Sequence, residues 1–269
     1  GWIKGDCAVV ENFEVKNKDG NILRGIINKP TTGDKFPCVV FCHGFMGNKL
    51  GHNFMLVKIA RILEKIGVVS VRFDFAGSGE SDGNFANLTV SGEIGDCDSV
   101  LNYVNSIDYI DKSNMNILGF SMGGAVAVAV AHNHLHVIRN LILISPAFNM
   151  CDIFINEVRG SKLEKFLHTG YIEFENNRLY KSAVEDAFNY NFFDYLKEMG
   201  KIDGKVLIVH GTEDESVPPL YSERIKKILA DTAFLKFVPG ADHCYSSLAY
   251  FKQAADSIVD FTKKYIADI

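Results

Sequence analysis

Several things the chain lacks narrow its function before any motif is read. No run of about 18 apolar residues occurs in its 269 positions, so the pattern of a transmembrane helix is missing. Basic residues are not in excess. Lys and Arg total 28 against 33 Asp and Glu, a formal net charge of −5, and with no basic face to follow a phosphate backbone nucleic acid is not an expected partner. None of the six cysteines (Cys7, Cys38, Cys42, Cys97, Cys151, Cys244) belongs to a C-x-x-C pair, which fits reduced structural thiols better than disulfides or zinc. The stretch Gly1-Trp2-Ile3-Lys4-Gly5-Asp6 has neither the basic start nor the apolar core of a signal peptide, so the expectation is a cytoplasmic protein. Internal repeats and low-complexity linkers are missing too.

What is present is enough apolar material, 47% of residues, to bury a large core in one domain. Residues 8–29 alternate around Asp19-Gly20 and predict a β-hairpin. Continuous apolar runs then recur at Cys38 to Cys42, Val68 to Phe73, Asn116 to Gly119, Leu141 to Ser145 and Val206 to His210, as expected of strands covered on both faces. Helical spacing separates them over Phe54 to Lys65, Ser91 to Val104 and Tyr221 to Leu229. After a strand over Phe234 to Val238, Leu248 to Tyr265 predicts a closing helix. Such β-α-β repetition implies a mostly parallel sheet between helices. Residues 147–203 break the rhythm, being rich in aromatics and without a clear sheet-type strand. They are expected to form an insertion, with a small hairpin at Asn176-Asn177.

The chemistry centres on Gly119-Phe120-Ser121-Met122-Gly123. G-x-S-x-G between a strand and a helix is the pattern of a nucleophile elbow, whose glycines lack the Cβ atoms that would clash in so tight a turn. The helix that follows points free N–H groups at any negative charge forming near Ser121. An acid and a histidine then follow in the chain order Ser, Asp, His, at the carboxyl ends of predicted strands where sites form in open α/β sheets. His243 is the expected base, since an imidazole titrates near neutrality and can shuttle the serine proton. Asp214 is the expected acid, accepting from the second ring nitrogen. Asp242 is a rival, but adjacent side chains point apart.

Other candidates have plainer readings. His43 and His210 are expected to hold the turns after their strands, and Asp74 and Asp82 to brace a Gly-rich turn. His132, His134 and His136 are read as a solvated helix end rather than a metal tract. Gly77-Ser78-Gly79 lacks the Gly-Lys-Ser/Thr ending of a nucleotide loop.

With Ser121, Asp214 and His243 assembled, the chain resembles the α/β-hydrolase superfamily over essentially its whole length. His43-Gly44-Phe45, the run Arg72-Phe73-Asp74-Phe75-Ala76-Gly77-Ser78-Gly79-Glu80-Ser81-Asp82-Gly83, and Gly240-Ala241-Asp242-His243-Cys244 are similar to bacterial cinnamoyl (feruloyl) esterases. That resemblance implies cleavage of hydroxycinnamate esters, so the implied partner is a small aromatic ester. It also implies an oxyanion hole from the backbone N–H groups of Phe45 and Met122, and a lid formed by residues 147–203 that shapes the acid pocket. No cofactor or metal is called for, and a homodimer stays open. Competing readings are a general short-chain carboxylesterase, an acyl-peptide type peptidase, and a binding protein on the same fold.

Overall fold

The computed structural model describes residues 9–199 and 204–267. Cys7, the first residue of the expected hairpin region and the last four residues of the expected insertion therefore lie outside the described residues. In chain order the strands are β1 (Val9–Lys16), β2 (Ile22–Lys29), β3 (Phe36–Cys42), β4 (Val69–Phe73), β5 (Ile110–Phe120), β6 (Ile138–Ile144), β7 (Tyr171–Phe174), β8 (Asn177–Tyr180), β9 (Val206–Gly211) and β10 (Ala233–Val238). The α-helices are α1 (Met55–Lys65), α2 (Val90–Asn105), α3 (Met122–Asn133), α4 (Met150–Glu157), α5 (Ser161–Thr169), α6 (Lys181–Ala187), α7 (Phe192–Met199), α8 (Leu220–Leu229) and α9 (Leu248–Tyr265).

Eight strands form one sheet in the order β1-β2-β4-β3-β5-β6-β9-β10. From β4 to β10 every neighbouring pair is parallel, and only the β1–β2 hairpin joins antiparallel at one edge. This is the α/β-hydrolase architecture expected of the sequence, and its inner strands β4 and β9 are buried along their whole length. Alternate residues of each strand feed different cores. Val40, Ile117, Leu143 and Ile208 point to the side of α2, α3 and α8, whereas Phe41, Leu118, Ile142 and Val209 point to α1 and α9. Burial of such β-branched and leucine side chains contributes roughly 1.5–3 kcal/mol each, the main term holding the sheet between its helices.

Two details depart from the sequence expectation. β5 begins six residues before Asn116, because its first half, Ile110-Asp111-Lys112-Ser113-Asn114, is too polar to show strand periodicity. Between β6 and β9 lie four short helices and the two-stranded β7–β8 sheet, whose register pairs Phe174 with Asn177, so its two-residue turn is Glu175-Asn176 rather than Asn176-Asn177. The cysteines agree with the expectation of reduced thiols: the five described are free, and Cys42 and Cys97 bring their sulfurs within 3.6 Å in the core.

Candidate active site

Ser121 follows the last residue of β5 and caps α3 with φ 55° and ψ −123°. A non-glycine residue in that region costs about 1–3 kcal/mol, so the surroundings must force it. They do so through backbone contact. A Cβ built on Gly119 would lie 2.3 Å from the carbonyl oxygen of Gly123, and one on Gly123 would lie 2.2 Å from that of Cys42. The elbow is therefore wedged between its own helix and the end of β3. Ser121 N–H donates to Ile144 O at 2.9 Å and its carbonyl accepts from Gly124 and Ala147, which ties the turn to β6.

The Ser121 hydroxyl meets His243 Nε2 at 2.9 Å, and His243 Nδ1 meets Asp214 Oδ2 at 2.6 Å. An ionised carboxylate only accepts, so Nδ1 carries the proton and Nε2 is the ring's acceptor for the serine O–H. The sequence-predicted residues come together from the ends of β5, β9 and β10, and Phe120 tilts its ring against the imidazole at 5.2 Å. Asp214 itself is buried, 5% exposed. Its Oδ1 accepts the N–H groups of Ser216 and Val217 at 2.9 and 2.7 Å. Burial alone would push this carboxyl up, but hydrogen bonds from His210, His243 and the backbone hold it well below the ordinary carboxylate range. It stays ionised wherever a histidine can be neutral.

His210 does more than hold a turn, and this the sequence reading missed. Its Nε2 lies 3.1 Å from Asp214 Oδ2, the same oxygen that His243 uses, and 2.9 Å from Val217 O. Both are acceptors, so Nε2 carries the proton and Nδ1 accepts from the buried Ser222 hydroxyl at 2.6 Å. The only sequence signal was its place four residues before the acid. Asp242, by contrast, turns away as expected, accepting from Ser246 N–H and Oγ.

The loop after β3 faces the elbow. A Cβ on Gly44 would lie 3.1 Å from Ser121 Cβ, so the backbone at Gly44 packs directly against Ser121. Met122 is the first residue of α3, where an N–H has no intrahelical acceptor. Among the described residues, the N–H of Phe45 has no protein acceptor either. His43 underpins this loop. Phe75 N–H donates to its Nε2 at 3.2 Å and its Nδ1–H donates to Gly44 O at 2.9 Å, which requires a neutral ring, and burial holds its pKa down. Lys49 locks the same loop to the Gly-rich turn, its Nζ reaching Asp74 at 2.6 Å and Glu80 at 2.7 Å. Asp82 pairs with Arg24 at 2.7 Å, so Asp74 and Asp82 are both bracing groups.

A cavity of about 320 Å³ opens over Ser121 and His243, lined by residues of the 43–52 loop with Phe120 and Cys244. Among the described residues, none of the 147–203 insertion lines it. The insertion instead backs its wall, because the Phe45 ring packs against Phe154 at 5.9 Å and Phe174 at 5.1 Å, and against Phe85 at 5.3 Å. The histidine tract ends in single hydrogen-bonded contacts, His132 with Glu198 at 2.7 Å and His134 with Asp98 at 2.9 Å. These carboxylate neighbours were invisible in sequence because other elements supply them. Among the described residues no group of three or more His, Cys, Asp or Glu side chains is placed to hold a metal ion, and no helix is long and apolar enough to cross a membrane.

Known proteins share this fold. Residues 54–268 match the family model described as prolyl oligopeptidase family. Among solved structures, Est1E from Butyrivibrio proteoclasticus with ferulic acid bound superposes with a TM-score of 0.80 at 26% identity, over 92% of this chain and 98% of that one. Alpha/beta hydrolase domain-containing protein 10 from mouse gives 0.76 at 19% identity over 94% and 99%, a likeness of fold. In sequence, the uncharacterized 31.7 kDa protein of the traX-finO intergenic region of Escherichia coli is 30% identical over 159 residues, 58% of this chain and 54% of that protein. The chain thus spans about half the length of that curated relative.

Proposed function

Because the chain belongs to the prolyl oligopeptidase family and has the α/β-hydrolase fold, we propose that it is a serine ester hydrolase that cleaves hydroxycinnamate esters through an acyl-enzyme. The observation that carries the reading is the continuous chain Ser121 to His243 to Asp214, at 2.9 and 2.6 Å. In acylation Ser121 Oγ attacks the ester carbonyl carbon while His243 Nε2 takes its proton. The tetrahedral oxyanion accepts from the N–H groups of Phe45 and Met122, and collapse breaks the C–O bond as His243 returns the proton to the leaving alcohol. Water repeats the sequence to release the acid. Asp214 fixes the ring's tautomer and stabilises the imidazolium, and His210 steadies Asp214 from behind.

Ferulic acid bound to Est1E supports the choice of an aromatic acid, as does the ring cluster of Phe45, Phe85, Phe154 and Phe174 beside the nucleophile. In this reading residues 147–203 are the lid and bear on the substrate through Phe45. The family description favours a second reading, a peptidase, which uses the same three residues on an amide. The test is kcat/KM for methyl ferulate, p-nitrophenyl butyrate and an acylated dipeptide amide. Preference for ferulate is the expected outcome, preference for butyrate makes the protein a general carboxylesterase, and cleavage of the amide alone establishes the peptidase.

A further inference from the structure

The cavity over Ser121 does not end at the catalytic residues. Its far wall, His52 and Cys244, is shared with a second cavity of about 220 Å³ lined by Met55, Lys58, Leu248 and Phe251. The two cavities are therefore neighbours at His52 and at Cys244, the residue after His243. Chemistry gives that proximity a meaning. The oxygen that departs in acylation must lie within hydrogen-bond reach of His243 Nε2, so the group attached to it begins beside His243, the residue before Cys244. At the opposite end the first cavity is closed by Phe45 and the aromatic rings packed on it.

Backbone strain gathers at the same place. Of the eight non-glycine residues with positive φ among the described residues, Met46, Asn53, Phe54, Ser121 and Tyr245 lie in or beside these two cavities. Asn53 (φ 50°, ψ 34°) and Phe54 (φ 61°, ψ 26°) are consecutive left-handed residues, a conformation that a phenylalanine rarely adopts. Its effect is to leave the Phe54 side chain 61% exposed between two lining residues, while Leu248 stands 83% exposed across the groove. Apolar groups held in water at the mouth of a reaction cavity are available for an apolar ligand.

We infer that the second cavity is the leaving-group subsite, shaped for the apolar or aromatic body of an alcohol larger than methanol, with Leu248 and Phe251 as its walls. The inference rests on the ester-hydrolase reading. It assigns specificity on the alcohol side to the start of α1 and the start of α9, separately from the acid side at Phe45. During acylation the alcohol's ring lies on Leu248 and Phe251 while His243 protonates its oxygen, and the alcohol then leaves along the open groove.

The experiment compares methyl and 2-phenylethyl esters of the same acid, in a ferulate series and a butyrate series. Both esters of a series give the same acyl-enzyme, so kcat/KM differs only through acylation. The expected result is a preference for the 2-phenylethyl ester of about tenfold in both series, falling toward unity in Leu248→Ser and in Phe251→Ser. Leu248 is almost fully exposed, so its variant keeps the reading intact if Phe251→Ser does not fold. Equal rates for the two alcohols in the wild type overturn the subsite, and so does a preference that survives Leu248→Ser. Hydrolysis of butyrates but not ferulates overturns only the aromatic-acid reading and leaves the alcohol comparison to be read in that series. Turnover of no ester in either series overturns the ester-hydrolase reading and the subsite with it.

Discussion

The elbow and the insertion lie within one aromatic ring of each other and are built in opposite ways. Around Ser121 every position is fixed by backbone contact. Gly119 and Gly123 have no room for a methyl group, and the first ten residues of α3 are all buried. Between β6 and β9 the four helices have only seven to nine residues, and Leu163, Leu167 and Phe188 are 42, 70 and 58% exposed. The insertion seats Phe148, Phe154, Phe192 and Leu196 in the main core and adds polar ties, such as Asp186 accepting from Ser91 N–H at 2.9 Å, Tyr190 against Ser91 Oγ at 2.6 Å, and Tyr221 OH donating to Asp152 at 2.9 Å. The difference separates two tasks. Proton transfer needs positions fixed to fractions of an ångström, which only a packed scaffold supplies, whereas choice of substrate can rest on exchangeable side chains over it.

Breaking the rigid side has the largest expected effect. Ser121→Ala should lower kcat by about a million-fold with the thermal midpoint unchanged, as read by ester turnover and by calorimetry. Asp214→Asn should cost about ten-thousand-fold in kcat, because an amide can hold the imidazole in the wrong tautomer. Asp242→Asn, whose carboxylate faces Ser246, should leave turnover near wild type, and the reverse pattern would reassign the acid.

On the adaptable side the changes should be smaller and selective. Phe174→Ala removes the ring nearest Phe45 and should cut the ferulate-to-butyrate ratio of kcat/KM by about tenfold while butyrate turnover stays close to wild type. An equal loss on both substrates would mean that the insertion supports the catalytic loop rather than selecting the acid.

The smallest effect sharpens the comparison through pH. Burial lowers the pKa of His43, so below about pH 6.5 the unfolded chain takes up a proton that the native ring refuses, and stability falls as pH drops. Glu93 in α2 has the opposite sign. Burial, with Asp96 nearby, holds its carboxyl pKa well above 4.5, so stability falls as pH rises from about 4.5 toward that raised value. Each group contributes at most about 1.4 kcal/mol per pH unit. Midpoints measured from pH 4.5 to 8 should show a shallower acid-side slope in His43→Asn and a shallower alkaline-side slope in Glu93→Gln, where Asp96, also raised by burial, keeps part of the latter.

Much of this could be read from the sequence, for a physical reason. Strands buried on both faces must be apolar without interruption, so Cys38 to Cys42, Leu141 to Ile144 and Val206 to His210 announced themselves. A turn as tight as the elbow needs glycine at 119 and 123. Local constraint also made Asp82 and Asp242 legible, since each meets partners that its own turn or a neighbouring strand end supplies. Less could be read where polarity hid a strand, as over Ile110 to Asn114, or where short helices replaced periodicity in the insertion.

By itself, the order of residues determined the alternation of strand and helix, the elbow, and the identity of Ser121, Asp214 and His243 as candidates, because each follows from short-range spacing and sterics. Only the tertiary structure decided that His210 shares an oxygen of Asp214 with His243, that Glu198 and Asp98 reach His132 and His134 at the end of α3, and that the wall of the cavity comes from residues 43–52 and Cys244. The elements that make those contacts are brought together by the winding of the sheet and by burial of its two faces, which are collective properties that no local pattern records.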